Sequence, residues 1–179
     1  MTIPELIDKS VNRRSGFSVD RRFQRVLPPI PLGRGVPTLA KGVYRPFSPQ
    51  LKARFEHLGR WQSATHGDWL GLDDMERLWT PGSQDDWTKG IYLSRIAAEE
   101  NWGNDAAALF RADRLTLFAG HADTNERIYL LWLDWTEEPE LWVYDSNGEL
   151  RFVDLHEYLT VYVTDDTRHY SRPWRLHMP

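Results

Sequence analysis

Apolar residues recur along this chain at two different spacings, and the change between them divides it. In FSPQLKARFEHLGRW (47–61), Leu51, Phe55 and Leu58 fall at i, i+4 and i+7, one stripe of a helix. Ser48 suits its N-cap, Pro49 its first position and Gly59 its stop. THGDWLGLDDMERLWTPG (65–82) turns at Gly67 and Gly71 and then carries Met75, Leu78 and Trp79 on a short helix. Asp73 and Glu76 read there as a variant capping box, and Pro81 and Gly82 end the helix. GIYLS (90–94) reads as a strand, while SRIAAEENW and NDAAALFRAD are Ala- and Glu-rich and read as helical.

From residue 115 the period becomes two. LTLFA is a strand, and IYLLWLD (128–134) is so continuously apolar that it predicts a central strand covered on both faces. ELWVYD follows an acidic loop, and Asn147-Gly148 gives the hairpin signal of a type I′ turn. In ELRFV, Leu150 and Phe152 point one way and Arg151 the other. A last helix starts at Asp154, has Glu157 three residues on, and carries Leu155, Tyr158, Leu159 and Tyr162 on one face. Helices, an antiparallel meander and a closing helix give an α+β fold, an antiparallel-rich sheet with helices packed on one side.

Residues 1–45 differ. They are Arg-rich, and Pro28, Pro29, Pro31 and Pro37 hold them extended while Gly33 and Gly35 loosen them. They read as a basic N-terminal extension that packs on the domain or stays mobile, with the domain proper spanning 46–179. IPELIDKSV within them has the pattern of a short helix.

Composition narrows the function classes. A length of 179 residues suits one domain with a real core. There is no Cys, hence no disulfide framework and no thiolate metal site. The N-terminus has no long apolar run, and no stretch of about 18 apolar residues occurs. Neither a signal peptide nor a membrane span is expected, and a cytoplasmic location fits. The net charge of −4 hides an asymmetry: residues 1–60 hold 12 Lys/Arg and 4 Asp/Glu, the rest 10 and 22. The acidic part does not suit nucleic acid, which wants a basic face; it suits a basic protein partner, or else a basic segment folded back upon it.

Catalytic patterns are missing. Of the six His, none sits in an H-E-x-x-H helix. His66 in HGD and His121 in HAD lie next to glycines in loops, and polar loop residues account for them more simply than a metal does. Asp145, Asn147 and Gly148 begin like a calcium loop but run straight into a strand. There is no nucleophile elbow and no phosphate-binding glycine loop. The expectation is a protein without catalytic residues, metal or cofactor. Nine Trp remain to be explained. DWTEEPELW (134–142) sets Asp134, Glu137, Glu138 and Glu140 among aromatics, Trp135 first, and GSQDDWTKG (82–90) repeats the idea with Asp85, Asp86 and Trp87. Aromatic anchors among carboxylates are the chemistry of a protein-binding surface for a basic partner. These eight residues are the candidate site.

Three segments resemble the SUKH superfamily over about residues 46–163. HGDWLGLDDMERLW is similar to the turn and short helix after that family's first helix, with His66 in place of an Asn. LTLFAGHADTNERIYLLWLD and ELWVYDSNGELRFVDLHEYL resemble its central strands and its closing hairpin and helix, with DTNER replacing a glycine pair. The resemblance implies a non-catalytic bacterial immunity protein that binds and neutralises a cognate toxin domain, often a nuclease or deaminase, by occluding its active site. Its alternative is a regulatory protein-interaction module of the same fold. It carries over no catalytic residue.

Overall fold

A computed structural model describes residues 1–12, 24–80, 86–99, 111–145 and 148–165. Its centre is a seven-stranded antiparallel sheet built from β1 (Arg25–Val26), β4 (Trp61–Gln62), β5 (Asp68–Trp69), β6 (Leu115–Gly120), β7 (Arg127–Leu131), β8 (Glu140–Asp145) and β9 (Gly148–Phe152), in that spatial order. A separate pair joins β2 (Val36–Pro37) to β3 (Tyr44–Arg45). The helices are α1 (Ile3–Asn12), α2 (Pro49–His57), α3 (Leu72–Arg77), α4 (Asp86–Glu99) and α5 (Leu155–Thr164). The fold is α+β. Among the described residues no helix is long and apolar enough to cross a membrane.

The apolar run marks an interior strand, not the central one: β7 is fifth of the seven and wholly buried, while β6, equally buried, stands at the middle of the sheet. Register then sorts the two sheet faces, because directly paired residues point the same way. Arg127 pairs with Tyr144, and Tyr129 with Trp142; Leu130 pairs with Leu141, which pairs with Phe152. The first set faces α4, where Arg127 donates to Ser94 Oγ at 2.9 Å. The second faces α5, where Phe152 meets the Tyr158 ring at 5.2 Å between centroids. Helices therefore cover both faces, which corrects the one-sided arrangement expected from the sequence. The reason lies in residues 90–94. GIYLS is helical inside α4, not a strand, and Ile91 of that helix is buried beside Gly120. Trp87, Ile91 and Ser94 follow helical spacing, and this tertiary contact overrides the β propensity of Ile91 and Tyr92. The helix expected from NDAAALFRAD lies mostly outside the described residues.

The described residues of the N-terminal 45, 1–12 and 24–45, contribute to the same core. Ile3, Leu6 and Ile7 of α1 and Val36 of β2 belong to the buried cluster that also holds Trp61, Trp69 and Phe118. β1 joins the sheet edge through β4, and Gly59 N–H donates to Leu27 O at 2.9 Å. Gly59 is required by this approach: a Cβ there would stand 2.4 Å from Pro28 O. Basic residues of the first 60 meet acids of the rest of the chain. Arg45 lies 3.6 Å from Asp134, and Arg60 clamps Asp74.

Caps fix the helix ends. Asp154 accepts the Glu157 N–H at 2.8 Å, while Glu157 accepts from Val153 N–H at 2.7 Å, so α5 starts with a reciprocal box one residue off the usual register. α3 starts at Gly71, where Asp74 accepts the Gly71 N–H at 2.9 Å; this replaces the expected Asp73–Glu76 box.

Candidate functional site

The eight sequence candidates separate once the chain is folded. Asp85 lies outside the described residues, and so does the side chain of Asp86. Trp87 is turned inward: its Nε1 donates to Asp68 Oδ2 at 2.7 Å, and the Arg60 guanidinium covers its ring at 4.0 Å. Asp68 also accepts the Ser63 N–H, so Trp87 latches α4 to the β4–β5 turn.

The other five occupy the β7–β8 connection and the start of β8. Glu140 is 5% exposed and closes an ion pair with Arg151 across the β8–β9 ladder. Glu138 is half-buried and reaches back to α2. Its Oε2 accepts from Ser48 Oγ at 2.5 Å and its Oε1 from the Gln50 N–H at 2.9 Å. Ser48 is thus the N-cap by backbone, with no side-chain capping bond of its own; the free N–H of the first turn is met by a carboxylate from a distant loop. Burial raises the Glu138 carboxyl above its usual pKa, and the Ser48 and Gln50 bonds pull it partly back.

Asp134 is held from the opposite side. Arg114 Nη2 donates to it at 2.5 Å and Arg45 stands 3.6 Å away, while Arg45 also donates through Nε and Nη2 to Asp113 O. Between these two fixed points stand Trp135, 59% exposed, and Glu137, also exposed. The arrangement is a loop pinned at Asp134 and Glu138 that presents one indole and one carboxylate to solvent. The sequence marked the acids of this loop but not its clamps, because Ser48, Arg45 and Arg114 are far from it in the chain.

Among the described residues the histidines do not converge. His57 Nε2 meets Asp8 at 2.8 Å, and His121 Nδ1 accepts the Asp123 N–H at 3.1 Å. His66 Nδ1 is 2.8 Å from the Tyr158 hydroxyl, which is 2.5 Å from Thr65 Oγ1, which accepts from Trp69 Nε1 at 2.9 Å. Asp145, which begins the calcium-like stretch, lies 3.7 Å from His66 Nε2 instead. Among the described residues no group of three His, Cys, Asp or Glu is placed to hold a metal. Burial lowers the His66 pKa, with Asp145 and Glu126 pulling it back up. A base depressed on folding takes its proton more readily when unfolded, so its contribution to stability is full above about 6.5 and is lost as pH falls toward the lower folded value. Urea midpoints measured at pH 7.5 and 5.0 are therefore expected to fall more in the wild type than in His66→Gln; equal falls would remove His66 from the acid response.

No family model matches the chain, and neither does any curated protein or solved structure.

Proposed function

We propose that this protein is a non-catalytic binding protein of the immunity type, which docks a cognate toxin domain and blocks its active site. The observation that carries the proposal is Trp135, a large aromatic left in water at the tip of a loop pinned at both ends. Leaving an indole exposed forgoes burial of a side chain of 150–250 Å² (an order-of-magnitude range). Holding the loop fixed lowers the entropy lost when a partner covers it. A preorganised Trp with a carboxylate on its rim fits an apolar slot edged by a basic residue. The resemblance of residues 46–163 to SUKH-superfamily proteins supports the choice of a toxin as that partner.

The surface is narrower than the acidic sequence suggests. Glu138 and Glu140 are engaged within the fold, so reversing their charge disturbs the protein before it touches a partner. Trp135 and Glu137 are the residues to change. Trp135→Ala is expected to leave stability within about 0.5 kcal/mol and to weaken toxin binding by about 30-fold. Glu137→Lys is expected to slow association, with the effect fading at high salt. The experiment is co-expression with the C-terminal domain of the large polypeptide encoded immediately upstream. Growth rescue and a stoichiometric complex support the proposal, and titration calorimetry with the two variants locates the surface. Persistent toxicity without a complex counts against it, and wild-type affinity in Trp135→Ala removes this loop from the interface.

A further inference from the structure

The proline-rich stretch RVLPPIPLGR (25–34) is held at both ends and left in water between them. β1 fastens its start: Val26 pairs with Trp61, and Leu27 N–H donates to Arg60 O at 2.8 Å. Leu32, packed against the core, fastens its end. Between these anchors Pro28, Pro29, Ile30 and Pro31 are all exposed. Val26 and Ile30, 43% and 40% exposed, make the patch apolar as well as accessible. Among the described residues, none of the backbone groups from Pro28 to Arg34 makes a hydrogen bond. Three prolines in four residues with a solvated backbone have the character of a polyproline II helix, which needs no internal hydrogen bonds.

That helix repeats every three residues, so Pro28 and Pro31 share one edge and Pro29 lies on another. Two cations keep the same spacing. Arg25 stands three residues before Pro28 and Arg34 three after Pro31, and both are exposed. Among the described residues neither closes an ion pair. No Asp or Glu occurs between residues 24 and 35, so the segment is uniformly positive. Its chemistry is thus the reverse of the Trp135 loop, which is aromatic and acidic.

We propose that residues 25–31 form a docking segment for a second protein, one whose groove is walled by aromatic rings and edged by carboxylates. The rings take the Pro28–Pro31 edge, the usual mode of polyproline II recognition, and a carboxylate meets Arg25. Anchoring at both ends holds the segment in its bound conformation, which lowers the ordering cost of docking. The proposal does not rest on the Trp135 surface and needs no toxin partner. The probe is an isolated SH3 domain of the class that reads a cation three residues before a Pro-x-x-Pro pair. The intact chain and a peptide of residues 24–35 are titrated against it by calorimetry and NMR. The intact chain is expected to bind at least as tightly as the peptide. Pro31→Ala is expected to weaken binding about tenfold, and Pro29→Ala, on a different edge, by less than about threefold. Arg25→Gln is expected to cost about fivefold, with the difference shrinking as salt is raised. Absence of binding by the intact chain at about 1 mM overturns the proposal. So does a peptide that binds about tenfold more tightly than the intact chain, because the fold then hides the edge. Equal losses in Pro29→Ala and Pro31→Ala also overturn it, since they mark a merely apolar patch. The Arg25→Gln result can be read even if a proline variant fails to fold, and an affinity it leaves unchanged removes the carboxylate-edged partner.

Discussion

Truncating Arg54 to alanine is expected to lower the free energy of unfolding by about 4 kcal/mol. Arg54 is 0% exposed, in the middle of the core. Its Nη1 donates to Leu58 O at 2.9 Å and its Nη2 to Leu70 O at 3.0 Å, tying the end of α2 to the segment after β5. Its guanidinium lies over Phe55, Phe118 and Trp69 at 4.2, 5.4 and 5.6 Å. Burial pushes its pKa down to about 9, against the opposing pull of Asp74, so it remains a cation at neutral pH. Alanine would orphan two carbonyls and leave a large void, and only part of that loss is offset by no longer burying a charge. Arg54→Met fills most of the void and removes the charge, so its loss should be less than half as large. Urea unfolding of the two variants checks this. A loss below about 1 kcal/mol in Arg54→Ala would mean that the core closes over the gap and that the two hydrogen bonds contribute little.

Asp74→Ala is expected to cost about 3–5 kcal/mol, for the opposite reason: it strands positive charge. Asp74 is 1% exposed. It accepts the Gly71 N–H that starts α3 and takes Arg60 on both oxygens, with Arg77 at 3.5 Å. Arg60 in turn covers Trp87, so one carboxylate holds α3, the β4 segment and the α4 latch together. Asp74→Asn retains an acceptor and the shape but loses the charge, and about half the cost is expected. Denaturant unfolding gives the totals. Hydrogen exchange in α3 and α4 gives the location: protection lost from both helices is expected, and loss confined to α3 would show that the Arg60–Trp87 contact does not depend on Asp74.

These two residues mark where the sequence stops being legible. Arg54 sits on the apolar side of α2, but a charged residue amid Leu51 and Phe55 reads as a solvent position until Leu70 O and the aromatic rings are brought around it. The strands from β6 to β9 were legible because their burial alternates or saturates locally; the Asn147-Gly148 signal fell one residue late, since Gly148 already pairs with Asp145 in β9 and residues 146–147 lie outside the described residues. α2 and α5 were legible from spacing and caps. What failed was long-range. GIYLS looked like a strand because its helical partner surface, Gly120, is some thirty residues away in the chain. Trp87, Glu138 and Glu140 looked like surface because Asp68, Ser48 and Arg151 could not be assigned to them from spacing. The aromatic face of Tyr129, Trp142 and Tyr144 was written in the alternation of β7 and β8, but its meaning depended on α4 covering that side.

The link between Glu138 and α2 also has a consequence in time. The group that completes the first turn of this helix lies 88 to 90 residues downstream of the atoms it serves. At a synthesis rate of about 5–20 residues per second, Ser48 and Gln50 are made roughly 5–20 s before Glu138. In that interval the N-terminus of α2 rests on Ser48 and Pro49 alone. The nascent chain therefore carries a frayed helix end until β7 and β8 emerge. The same docking event that seals α2 also sets Trp135 in place, so this loop acquires its final shape only after the whole β7–β8 connection has been made.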